Sequence, residues 1–154
     1  MRGAARLLAL LCFLLMTALG AAAQTVTATL LTGAQPWAIA VNPATNKIYV
    51  ANGVGGTVTV IDGAANSTTT LTVGVQPIAI AVNPASNRIY VVNSGSNSVT
   101  VIDGATDTVA GNIAVGMYPE AIAVNPVTNR IYVANPASYT ITVIEGDQIG
   151  RAHV

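Results

Sequence analysis

One stretch is written three times in this chain. VNPATNKIYVAN begins at Val41, VNPASNRIYVVN at Val82 and VNPVTNRIYVAN at Val124, a spacing of 41 and then 42 residues. The copies align without a gap from Gly33, Gly74 and Gly116 to Asn52, Asn93 and Asn135. Each reads Gly-x-x-Pro-x-Ala-Ile-Ala-Val-Asn-Pro-x-Thr/Ser-Asn-Lys/Arg-Ile-Tyr-Val-x-Asn. A repeat this close is one supersecondary unit used several times, which buries its apolar surface by stacking on its neighbours.

The local physics of the unit is β. Ala-Ile-Ala-Val and Ile-Tyr-Val are short apolar runs bounded by Gly, Pro and Asn, the pattern of strands. Between them lies Asn-Pro-x-Thr/Ser-Asn, at 42–46, 83–87 and 125–129. Proline presets φ for the second position of a turn, the first Asn bonds its own backbone, and the last Asn tolerates positive φ. These are hairpin turns. A third strand is expected at Thr57–Ile61, Ser98–Ile102 and Thr140–Ile144, and a threonine-rich fourth near Thr68–Val73 and Thr108–Val115. Threonine suits an outer, half-solvated strand.

Each unit is therefore a four-stranded antiparallel meander. Ile48, Tyr49 and Val50 are consecutive apolar residues, as are Ile89, Tyr90 and Val91. A sheet with one wet face would alternate instead. Both faces must be covered, and the neighbouring copy is the cover. Four-stranded sheets repeating every 41 to 42 residues and stacked face to face make a β-propeller. The fold class is all-β, with about three blades: 36–73, 77–115 and an incomplete one at 119–147, preceded by a strand at 25–31.

The residues resemble the YVTN β-propeller repeat. The segments IYVAN, IYVVN and IYVAN, each with VNP ahead and VTVID or ITVIE behind, carry the resemblance from about Thr25 to Asp147. Ala51, Val92 and Ala134 stand where the family name has Thr. The resemblance implies an exported bacterial or archaeal protein of the surface-layer or periplasmic type, and a ring of roughly six to eight blades, of which this chain is a fragment. It says little about activity.

The ends read differently. Arg2 and Arg6 precede the apolar run Leu7–Leu19, and Ala21-Ala22-Ala23 offers a cleavage site, so residues 1–23 are expected to be a secretory signal peptide that leaves Gln24 first. The run falls short of the roughly 20 residues of a membrane span, and no span is expected after cleavage. Cys12, the single cysteine, lies within the leader, which rules out a disulfide framework. At the other end, residues 148–154 (QIGRAHV) match nothing in the repeat. They back-translate as CAG ATC GGA AGA GCA CAC GTC, a string resembling a sequencing adapter. Residues 149–154, with most of the Gln148 codon, are expected to be read-through, and the native chain to continue through further blades. A true three-bladed chain would instead self-associate, because both end blades would have bare apolar faces.

Charged residues make up only 8% of the chain. After the leader the basic ones are Lys47, Arg88, Arg130 and Arg151, with no cluster to bind a phosphate backbone. No nucleic-acid partner is expected. Zinc and copper sites want grouped His or Cys, and beyond the leader there is only His153 in the tail. No metal, cofactor or catalytic constellation is expected. Asp103 and Asp107 read as a turn with a solvated acid. Asp62, Asp103 and Glu145 recur at one repeat position and Lys47, Arg88 and Arg130 at another, as a structural role would require.

The loops carry the differences. The first-to-second-strand turn is nearly constant. Before the first strand the copies read Ala34-Gln35-Pro36-Trp37, Val75-Gln76-Pro77-Ile78 and Met117-Tyr118-Pro119-Glu120, and after the second NGVGGT, NSGSNS and NPASYT. In an up-and-down blade both loop sets emerge on the same face of the disc. Loops on a rigid scaffold are where binding residues collect, so the candidates are Gln35, Trp37, Gln76, Met117, Tyr118, Glu120 and Tyr139. The functional expectation is an exported binding or scaffold module with a protein, glycan or small-molecule ligand. The alternatives are part of a lactonase-like propeller hydrolase and a structural surface-layer component.

Overall fold

The computed structural model describes residues 24–146. The expected signal peptide and the QIGRAHV tail lie outside the described residues. Eleven strands follow in chain order: β1 (Pro36–Asn42), β2 (Lys47–Asn52), β3 (Thr57–Asp62), β4 (Thr68–Thr72), β5 (Pro77–Asn83), β6 (Arg88–Asn93), β7 (Ser98–Asp103), β8 (Thr108–Ala114), β9 (Ala121–Asn125), β10 (Arg130–Asn135) and β11 (Thr140–Glu145). They form two four-stranded sheets, β1-β2-β3-β4 and β5-β6-β7-β8, and a three-stranded sheet, β9-β10-β11. Every pairing is antiparallel between consecutive strands. The chain is all-β and consists of propeller blades.

The repeated turn closes each first hairpin as its chemistry requires. Asn42 pairs with Lys47, and the Asn42 Oδ1 accepts the Ala44 N–H at 3.1 Å. Asn83 and Asn125 do the same for Ala85 and Val127. Asn46, Asn87 and Asn129 take φ of 54°, 51° and 54°, where Asn is tolerated better than other non-glycine residues.

The middle blade explains the consecutive apolar residues. In β6, Ile89 and Val91 face the first blade, in a core with Tyr49, Ala51, Val58, Val60 and Ile102. Tyr90 and Val92 point the other way, into a core with Val99, Val101, Ile131, Val133 and Ile144. Successive strand side chains alternate in direction, so a sheet covered on both sides needs apolar residues at both parities. Each fully buried Val or Ile contributes about 1.5–3 kcal/mol of transfer free energy.

The expected strand at 25–31 does not form. These residues pair with no strand, and most are exposed. A strand needs a ladder partner for its N–H and C=O groups, and these residues have none among the described strands. Leu30 instead lines a hollow on the outer face of the first blade with Trp37, Ile39, Val50 and Ile61.

Candidate functional site

The two variable loop sets are hydrogen-bonded to each other, which fixes them on one face. Gly53 N–H donates to Gln35 O at 2.8 Å, and Ser94 N–H to Gln76 O at 2.9 Å. In the third blade Pro136 has no N–H to give, and Met117 N–H donates to Ser138 Oγ at 3.1 Å. The face is also tied across blades: Tyr118 N–H donates to Asn97 Oδ1 at 2.8 Å.

The backbone geometry separates this face from the opposite one. Gln35, Gln76 and Tyr118 occupy one repeat position, and all three are left-handed, with φ of 55°, 51° and 48°. Tyr139 is left-handed at φ 55°, where the equivalent residues are Asn97 and Gly56. A left-handed conformation costs a residue with a Cβ about 1–2 kcal/mol, and Asn or Gly least. The uniform face meets that demand with Asn46, Asn66, Asn87, Asp107 and Asn129, and the variable face with Gln35, Gln76, Tyr118 and Tyr139 besides Asn97, Gly55 and Gly56. Nothing in a single copy signals the left-handed position; only the alignment with Gly56 and Asn97 does so for Tyr139.

All seven candidate side chains are exposed. They do not form one site. Glu120 and Tyr139 share a hollow of about 420 Å³ with Ala121, Ala134, Pro136 and Ile141 at the end of the third blade. Tyr139 is 96% exposed and Tyr118 56%. Gln76 lines a groove of about 480 Å³ between the first and second blades, with Gly53, Val54 and Val75. Trp37 lies in β1 at a register shift between Pro36 and Ala38, not on a loop; its ring lies beside Gly53 of the variable face and lines the open face of the first blade.

The charged positions are structural in the second and third blades. Arg88 pairs with Asp103 and Arg130 with Glu145, both at 2.9 Å and each joining neighbouring strands. The first blade differs. Asp62 accepts the N–H groups of Ala64 and Ala65; those two bonds, Ala65 first, hold its carboxyl below the usual range. Lys47 turns to Asp107 of the second blade at 2.5 Å, and Tyr49 Oη donates to the same carboxylate at 2.9 Å. Asp107 is thus an inter-blade latch rather than the solvated turn acid expected from sequence. Burial above all, and then the bond to Asp107, pushes the Tyr49 hydroxyl well above its ordinary range. Among the described residues no three His, Cys, Asp or Glu side chains group as metal ligands.

No family model and no curated protein matches the chain. Solved structures do. Hydrazine synthase from Kuenenia stuttgartiensis superposes with a TM-score of 0.70 at 29% identity, over 82% of this chain and 37% of that one. Apo AztD from Citrobacter koseri gives a TM-score of 0.64 at 18% identity, over 82% and 35%. A candidate 6-phosphogluconolactonase from Bacteroides fragilis gives 0.65 at 20% identity, over 77% and 36%. These are propeller-like proteins, and the chain spans 35 to 37% of the length of these three. Among the described residues no helix is long and apolar enough to cross a membrane.

Proposed function

We propose that this chain is an exported binding or scaffold module of the YVTN type, whose variable face engages a protein, glycan or small-molecule ligand. The observation that carries the reading is the left-handed set Gln35, Gln76, Tyr118 and Tyr139. Left-handed non-glycine backbone persists where the surroundings hold it and concentrates at ligand clamps. Here it directs exposed Gln and Tyr side chains outward, and Tyr supplies contact area at low entropic cost. The uniform face repeats one Asn-based turn, as a joint between blades requires.

Export rests on the leader, and the intact mass of secreted material tests it: a first residue of Gln24 supports it, and retained Cys12 contradicts it. Binding is tested by presenting immobilised cell-wall glycans, a protein array and a small-metabolite set to the purified chain. Saturable retention that tyrosine substitution on the variable face abolishes supports the reading. Metal-dependent lactone hydrolysis by the full protein would overturn it in favour of a propeller hydrolase, the activity class of the Bacteroides neighbour's name.

A further inference from the structure

The two junctions between neighbouring blades share a backbone on the variable face and differ in one side chain. Gly56 O accepts the Val73 N–H at 2.8 Å in the first junction, and Asn97 O accepts the Val115 N–H at 3.0 Å in the second. Gly56 and Asn97 are both left-handed, and so are Gln76 and Tyr118, which follow them at one repeat position. The second junction is closed by its side chain, because Asn97 Oδ1 accepts the Tyr118 N–H at 2.8 Å. In the first, Gly56 has no side chain to offer, and among the described residues no acceptor takes the Gln76 N–H.

A hollow of about 480 Å³ opens at this place, with Gly55, Gly56, Thr72 and Gln76 among the residues that line it. Ligand pockets span about 300–1,000 Å³. No charged side chain lines the hollow. Val54 and Val75 line it as well, and they are 53% and 59% exposed. It lies between two complete four-stranded blades, so its shape depends on neither end of the chain.

We propose that this hollow binds the acetamido group of an N-acetylated sugar, whose carbonyl takes the Gln76 N–H as Asn97 Oδ1 takes that of Tyr118. The chemistry of the occupant follows from the side chain it replaces. Asn97 supplies a neutral amide oxygen, and the hollow holds no charge to balance an anion. An acetamido group adds a methyl to that amide, and the two exposed valines give the methyl an apolar surface out of water. The sugar hydroxyls meet the Gln76 amide and the Thr72 hydroxyl, each both donor and acceptor. The inference rests on the reading of the variable face as a binding face.

The test is a titration of the purified chain with the β-1,4-linked trimer of N-acetylglucosamine, read by chemical shifts. The Gln76 amide and the Val54 and Val75 methyls are expected to move together and saturate. Cellotriose, which carries hydroxyls in place of the acetamido groups, is expected to bind about tenfold more weakly. A tripeptide with a central Asn, the other source of a carboxamide, lacks the methyl and is also expected to bind more weakly. Gly56→Asn is expected to abolish the shifts by supplying the missing acceptor, and Val54→Asp to weaken the trimer about tenfold. A Cβ at Gly56 falls 2.8 Å from Gly74 O, so thermal unfolding accompanies that variant, and Val54→Asp at its exposed site decides the matter if Gly56→Asn does not fold. No binding of the trimer, shifts that spare Gln76, or equal binding of cellotriose or the tripeptide would overturn the proposal. The binding reading then stands if Tyr118→Ala/Tyr139→Ala loses some other ligand of the variable face, and falls if there is none to lose.

Discussion

Asn42 reaches across 45 residues of sequence to Asn87: its Nδ2 donates to Asn87 Oδ1 at 2.6 Å. The same bond recurs one blade on, from Asn83 to Asn129 at 2.7 Å. Both asparagines belong to the repeated turn, one opening it and the other closing it in the left-handed conformation. The turn is therefore uniform for two reasons. It closes its own hairpin, and it staples that hairpin to the next.

The staple is measurable as a coupling. Asn87→Gly keeps the left-handed backbone and removes only the side chain, and is expected to cost about 1 kcal/mol. Asn42→Ala also removes a buried acceptor from the Ala44 N–H and is expected to cost about 1–3 kcal/mol. The double variant should be less destabilised than the sum, by about 1 kcal/mol of interaction energy. Urea unfolding of the four proteins closes the cycle, and strict additivity would show that the bond contributes nothing.

Tyr49 should give the fold an alkaline limb. Its pKa is raised on folding, so the folded state favours the neutral phenol. That contribution is complete below the ordinary value of 10.0 and is lost as pH rises above it toward the folded value. Tyr49→Phe keeps the ring packing, removes the bond to the Asp107 carboxylate at a cost of about 1.5–3 kcal/mol near neutral pH, and should flatten the limb. Unfolding midpoints across alkaline pH decide it; parallel curves for wild type and Tyr49→Phe would contradict the assignment.

A glycine opens each repeat because an asparagine lies against it. A Cβ on Gly74 would fall 2.5 Å from Ser96 Oγ and 2.6 Å from Asn93 Cγ, and one on Gly116 would meet Ser138 and Asn135 at the same distances. Those asparagines are buried and bridge the second and third strands: Asn93 donates to Ser98 and Thr100, and Asn135 to Thr140 and Thr142. Gly74→Ala is expected to cost about 1–3 kcal/mol by overpacking. Gly111 has nothing within 4 Å of its Cβ position, and Gly111→Ala, in strand β8, should be neutral or stabilising. Thermal unfolding of the pair checks this, and equal losses would contradict it.

The architecture was legible because it is written in short-range chemistry repeated at a fixed spacing. Asn-Pro-x-Thr/Ser-Asn specifies its turn in any context, and Ile-Tyr-Val with apolar residues at both parities specifies a sheet covered twice. What sequence left out depends on neighbours brought together by stacking. The asparagine staple pairs residues 45 and 46 positions apart, longer than one repeat, so a single copy cannot reveal it. Asp107 reads as an ordinary turn acid until the second blade sets it beside Lys47 and Tyr49. Residues 25–31 have strand composition, but a strand forms only with a ladder partner, and they pair with none of the described strands. The loop comparison grouped two loop sets that the hydrogen bonds hold together, whereas the place of Trp37 in a strand, at a register shift, is not signalled by its residues.

The central claim is that one face of these blades joins and the other binds, and the most direct measurement compares the two. Ligand retained by wild-type protein is titrated against Tyr118→Ala/Tyr139→Ala on the variable face and Val127→Asp on the uniform face, where Val127 is 91% exposed. The account predicts that affinity falls about tenfold or more for the tyrosine pair and stays within error for Val127→Asp, with both variants folded. Unchanged affinity in the tyrosine pair, or loss confined to Val127→Asp, would contradict it.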